Sequence, residues 1–128
     1  MPPRREAERI DTKVRLRSDL WVAAYLRRCG AEGQSAVLRR RGAAEAGAIF
    51  VKVDRLDGRS ALFEPAPQSM AVELEPGVER VFIRAHEPEW IDSGEADKRL
   101  ARQIAFDPDL WIVEIEDPEG RTWLDLAR

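Results

Sequence analysis

The chain has 128 residues, of which 44% are apolar and 35% charged, and a net charge of −3. That apolar share supports one buried core and argues against disorder as the main state, while the longest apolar run, Leu20 to Leu26, is far too short to cross a bilayer. A single cysteine excludes an internal disulfide, and one cysteine with one histidine excludes a classical zinc site.

Residues 1–11 read as a charged tail with no apolar leader segment, so no secretory signal is expected and a cytoplasmic location is. Residues 12–128 read as a single domain. Val14 and Leu16 alternate with Lys13, Arg15 and Arg17, which predicts a short first strand. Ser18 and Asp19 suit a helix start, Arg27 and Arg28 its last turn and Gly30 its stop. Within that helix Leu20 to Leu26 leave no polar face, so it needs cover on more than one side.

Ala36 to Arg41 and Ala48 to Leu56 read as strands. Asp57-Gly58 is a hairpin signal, with the return strand from about Arg59 to Glu64. Pro65 and Pro67 end it. Residues 65–79 read as a long loop with a short extended piece at Met70 to Leu74, and Val81 to Ala85 as a further strand.

Asp92 and Glu95 have capping-box spacing and open a second helix, about Ser93 to Ala105. Its Ala96, Leu100, Ala101, Ile104 and Ala105 form one apolar stripe, opposite a Glu95/Arg99 pair at i,i+4. Leu110 to Glu116 alternates as a strand, Asp117-Pro118-Glu119-Gly120 is a turn, and Arg121 to Leu126 reads as a last strand. The order β-α-β-β-β-β-α-β-β predicts an α+β fold: a mainly antiparallel sheet of five to seven short strands with two helices. Alternation puts Arg15, Arg17, Lys52, Glu114 and Glu116 on a solvent face and Leu16, Val51, Val53, Val113 and Ile115 inward.

Three stretches carry a family resemblance: Phe106-Asp107-Pro108-Asp109-Leu110-Trp111-Ile112-Val113-Glu114-Ile115-Glu116-Asp117, Val51-Lys52-Val53-Asp54-Arg55-Leu56-Asp57-Gly58, and Pro65-Ala66-Pro67-Gln68. Over residues 12 to 126 the chain resembles domain-of-unknown-function family fourteen-ninety-one, small single-domain proteins typical of alphaproteobacteria. The resemblance implies no activity, cofactor or catalytic residue.

The residues themselves offer few chemical constellations. Gly42 and Gly47 have the spacing of a phosphate loop, but Ala48 and Ile49 follow where Lys and Ser/Thr are needed. His86 lies among Glu87, Glu89 and Asp92 and could serve as a general base, but is read first as a boundary histidine. Cys29 falls at a helix C-terminus, which disfavours a thiolate, and is read as structural. Asp107 and Asp109 form a D-x-D pair that could ligate a divalent metal, against a plain helix-stop and turn beside Trp111. The aromatics read mainly as core, with only Phe50 near Lys52 and Phe82 near Arg84 fitting a base-stacking platform.

Charge is unevenly placed. Residues 1–41 carry 11 basic against 5 acidic side chains, and residues 42–128 carry 10 against 19. Arg15, Arg17, Arg39, Arg40 and Arg41 are the candidate basic patch, balanced against the reading that acidic strands neutralise them. No cofactor, metal or membrane partner is expected. The leading functional expectation is a non-enzymatic interaction or regulatory module, self-associating as a homodimer through Trp21, Val22 and Tyr25, or binding another protein. A nucleic-acid-associated protein is the alternative, and a small enzyme using His86, Asp107 and Asp109 the third.

Overall fold

The period of two in the strands sets which side chains share a face, and the structure, a computed structural model, shows what lies on each. It describes residues 16–67 and 80–127. In chain order these form α1 (Ser18–Ala31), β1 (Ser35–Arg40), β2 (Ile49–Asp54), β3 (Arg59–Pro65), β4 (Phe82–Arg84), β5 (Ile91–Asp92), α2 (Ser93–Phe106) and β6 (Trp111–Glu116). The fold is α+β, with one six-stranded sheet in the order β1-β6-β2-β3-β4 and β5 paired to β3. Four pairings are antiparallel, but β2 and β6 run parallel, so the sheet is mixed. The crossover through α2 brings β6 back between β1 and β2 and makes that parallel pair.

One face is a dry core. Ile49, Val51, Val53, Ala61, Phe63, Trp111, Val113 and Ile115 point to it, and Val22, Tyr25 and Cys29 of α1 cover it. The other face carries Phe50, Leu62 and Ile112 under Ala96 and Leu100 of α2. The expected parity of β2 and β6 holds, but the expected solvent face does not. Lys52 is only 3% exposed because α2 lies over it, with Asp97 of that helix 2.8 Å from its ammonium and Glu114 at 3.7 Å. Glu116 alone of the two strand glutamates is exposed.

α1 turns towards the sheet two of the three residues expected to meet a partner. Val22 and Tyr25 face the sheet, Trp21 stacks on Tyr25 with ring centroids 4.8 Å apart, and Leu20 is left 53% exposed beside exposed Ala23 and Ala24. The large side chains take the sheet because they bury more apolar area than alanines would. Ser18 is the first helical residue rather than the cap: its hydroxyl donates to the Gly47 carbonyl at 2.6 Å. The helix runs past Gly30 to Ala31, and Gly33, at φ +82°, makes the left-handed turn into β1.

α2 starts as its sequence requires, with the Asp92 carboxylate accepting from the Gly94 and Glu95 N–H groups. The expected last strand is not one. Residues 121–127 pass beside β4 and meet it at an isolated parallel bridge, with Phe82 N–H donating to Asp125 O and Ala127 N–H to Phe82 O. Trp123 adopts a positive φ of 58°, which breaks the pleat. Leu16 and Arg17 are outside any strand. The rest of the expected first strand, the tail 1–11 and most of the 65–79 loop lie outside the described residues.

Candidate functional site

The polar groups picked out from the sequence are drawn into the fold one by one. His86 Nε2 accepts a hydrogen bond from the buried Leu62 N–H at 3.0 Å, and Nδ1 donates to Pro88 O at 2.6 Å. The imidazole thus takes the place of a strand carbonyl where β3 has none opposite. Burial pushes its pKa below the ordinary value against the opposing Pro88 bond, with Arg84 and Arg99 adding to the fall. Both ring nitrogens are occupied, so no free base faces a substrate.

Asp107 accepts from the Asp109 N–H, an Asx turn of 3.0 Å after the helix. The Asp109 carbonyl takes the Ala43 N–H at 2.8 Å, and the Trp111 indole donates to Ala43 O at 2.8 Å. Gly42 and Gly47 are glycines because a Cβ on either would strike that same Asp109 carbonyl. Their phosphate-loop spacing is thus a packing device for the Asp-Pro-Asp-Leu-Trp turn. No group of three or more His, Cys, Asp or Glu among the described residues is arranged to hold a metal. Cys29 is fully buried, and burial raises its thiol pKa.

Each of the described candidate arginines has a contact within the chain. Arg15 lies outside the described residues. Arg17 pairs with Asp19 at 3.2 Å, Arg39 with Glu114, and Arg40 donates to Pro108 O at 2.6 Å. Arg41 lies over the Trp111 ring, 5.5 Å from its centroid. Likewise, Val22 and Tyr25 are spent inside the chain, and Trp21 is half-covered by Tyr25 and Phe82. On the opposite side of α1, Leu20, Ala23 and Ala24 are exposed. No helix among the described residues is long and apolar enough to cross a membrane.

Two arrangements were not visible in the sequence. The first is a hub at Asp117, which is 3% exposed. It receives Gln34 Nε2 at 2.7 Å, Arg121 Nε at 2.8 Å and the N–H groups of Glu119 and Arg121, while Gln34 Oε1 accepts from the Trp123 indole. Burial alone would push the carboxyl up, but these donors outweigh it and hold its pKa at about 2. The hub ties the turn before β1, the end of β6 and the C-terminal segment together.

The second is a groove of about 230 Å³ between the C-terminal half of α2 and the sheet. Phe50, Leu62 and Ala85 lie in its floor and walls, and Arg99, Gln103 and Phe106 line it from α2. Glu64 enters from β3, on the same face as Leu62. The Phe106 ring is 89% exposed. Among the described residues the Glu64 carboxylate has no hydrogen-bond donor and no ion-pair partner, and partial burial raises its pKa. Arg99 and Arg102 turn instead to Glu95, at 3.2 and 3.6 Å. Strand parity could have put Glu64 beside Leu62, but nothing in the sequence signals that its charge is unmatched.

The described residues thus form two helices and a mixed sheet in an α+β fold, with a groove beside α2. Residues 16–125 match the family described as "Protein of unknown function (DUF1491)", and the chain belongs to that family. A crystal structure of a DUF1491 family protein from Caulobacter crescentus is 34% identical, with 90% of this chain and 100% of that one covered and a TM-score of 0.72. A solution structure of a protein from A. tumefaciens is 41% identical over 88% of this chain and 95% of its own, with a TM-score of 0.71. No curated protein matches.

Proposed function

We propose that the protein is a small non-enzymatic binding module of the cytoplasm and that the groove beside α2 is its binding surface. The observation that carries this reading is the open groove with a Phe106 ring 89% exposed at its mouth. An aromatic ring left in water at the end of a helix costs solvation that a partner would recover. The engagement of His86, Asp107, Asp109 and Cys29 in the fold supports binding over catalysis. Amide NMR of the labelled chain with a panel of small neutral organic probes tests it. Shift changes confined to Leu62, Ala85, Gln103 and Phe106 are expected, and changes scattered over the surface, or centred elsewhere, overturn it.

Self-association is a second reading, favoured by a different observation. Among the described residues nothing pairs with the outer edge of β1, and Leu20, Ala23 and Ala24 of the neighbouring α1 are exposed. An open edge and an apolar helix side offer a second copy both hydrogen bonds and apolar area. Light scattering behind size exclusion decides: a species of twice 14.6 kDa is expected, and a monomer at micromolar concentration sinks it.

A further inference from the structure

We propose that the α2 groove takes an organic cation on an aliphatic stem, with the stem on Phe50, Leu62 and Phe106 and the charged head against Glu64. The inference rests on the reading of the groove as a binding surface and names its ligand. Three features carry it. Glu64 is a half-buried carboxylate that no described residue satisfies, and it opens into the groove. Partial burial disfavours the charged form of this carboxylate, and a bound cation would offset that. The two guanidiniums that also line the groove are held by Glu95 on their own helix, and Arg99 also donates to Ala85 O at 3.4 Å. Both already share a carboxylate partner, whereas Glu64 has no cation among the described residues.

The third feature is aromatic. The exposed face of Phe106 is a favourable surface for a cation, and Phe50 lies in the same groove. The volume, about 230 Å³, falls below the roughly 300–1,000 Å³ of drug-sized pockets. It suits something of side-chain size, which is either a small free amine or a lysine side chain of a partner protein.

Amide NMR titrations of the full chain near pH 7 with n-butylammonium, n-butanol and butyrate, three probes sharing one stem, test the idea. Butylammonium is expected to bind tightest and to shift Leu62, Glu64, Ala85 and Phe106. Glu64→Gln, which removes the charge and keeps the shape, is expected to weaken it about tenfold, to the level of butanol. Phe106→Ala is expected to weaken the cation more than it weakens butanol. Binding should also fade as pH falls through the Glu64 titration. Butyrate binding as tightly as butylammonium overturns the inference, and so does an unchanged cation affinity in Glu64→Gln. If all three probes bind equally in the groove, the cation idea fails while the groove reading stands. If none binds there, both fail. Replacing butylammonium by Nα-acetyl-lysine-N-methylamide separates the two sources: tighter binding of the latter assigns the site to a partner's lysine, and weaker binding to a free amine.

Discussion

Under α1 the sheet presents Val51, Val53, Phe63, Val113 and Ile115, all fully or almost fully buried, and the helix returns Val22, Tyr25 and Cys29 to them. Under α2 the same strands present Phe50 and Leu62 next to Lys52 and Glu114, and the helix returns Ala96 and Leu100 next to Asp97. The first face is closed by apolar packing on every strand it covers. The second is part apolar, part ionic and part open. Stability is therefore expected to concentrate on the first face, and ligand binding on the second, where leaving a groove open disturbs least.

The largest effect should come from the first face. Trp111 is 1% exposed, its indole N–H holds Ala43 O, and its ring packs with Val113 and Ile49 in the same core. Trp111→Ala should cost about 3–5 kcal/mol, read as a drop in the urea midpoint or as failure to fold. Next comes the Asp117 hub. Its carboxyl is held at about 2 in the folded chain against 3.8 unfolded, so its stabilisation is complete above the unfolded value and is lost as pH falls from about 4 towards 2. That loss should amount to about 2 kcal/mol. An Asp117→Asn chain should lack this acid limb in urea titrations, and retention of the full limb would show that another carboxylate carries it.

His86 gives a smaller pH effect at a higher range. Its folded pKa lies below the ordinary 6.5, so the unfolded chain takes up the proton first. Stability should be complete above about pH 6.5 and decline as pH drops below it. Proton NMR of the imidazole should show titration below that of a free histidine, and a normal value would mean the Leu62 bond does not hold the neutral form. The smallest effect belongs to the ionic part of the second face. Lys52→Met leaves Glu114 paired with Arg39 and the half-exposed Asp97 with Arg39 at 3.7 Å and water. It should change stability by less than about 1 kcal/mol. A loss as large as that of Trp111→Ala would erase the contrast between the faces.

Much of the frame was legible beforehand. The Asp57-Gly58 hairpin, with Gly58 at φ +88°, the capped second helix and the parity of β2 and β6 all follow from local chemistry that tertiary packing did not override. What failed depended on the third dimension. A helix apolar all round carries no periodic signal for which side meets the sheet, so the placement of Trp21, Val22 and Tyr25 could not be read. Lys52 alternates like a solvent residue because parity names a face and not its cover. Arg121 to Leu126 alternates like a strand, yet its side chains were committed to the Asp117 and Gln34 hub. The unmatched charge of Glu64 is a fact about what is missing within a few ångströms, and a linear pattern does not record that.

The position of β6 has a consequence for how the chain comes to be made. Residues 111–116 are translated after every other described strand of the sheet, yet they fill its middle between β1 and β2. Until they emerge, two strands translated long before have an empty lane between them, and Val51 and Val53 lack their central neighbours. The nascent chain can close the β2–β3 hairpin early, because its contacts are local, but the sheet must wait for its keystone. A chain stopped before residue 111 would leave β1 as a lone strand, unjoined to the sheet built on β2 and β3.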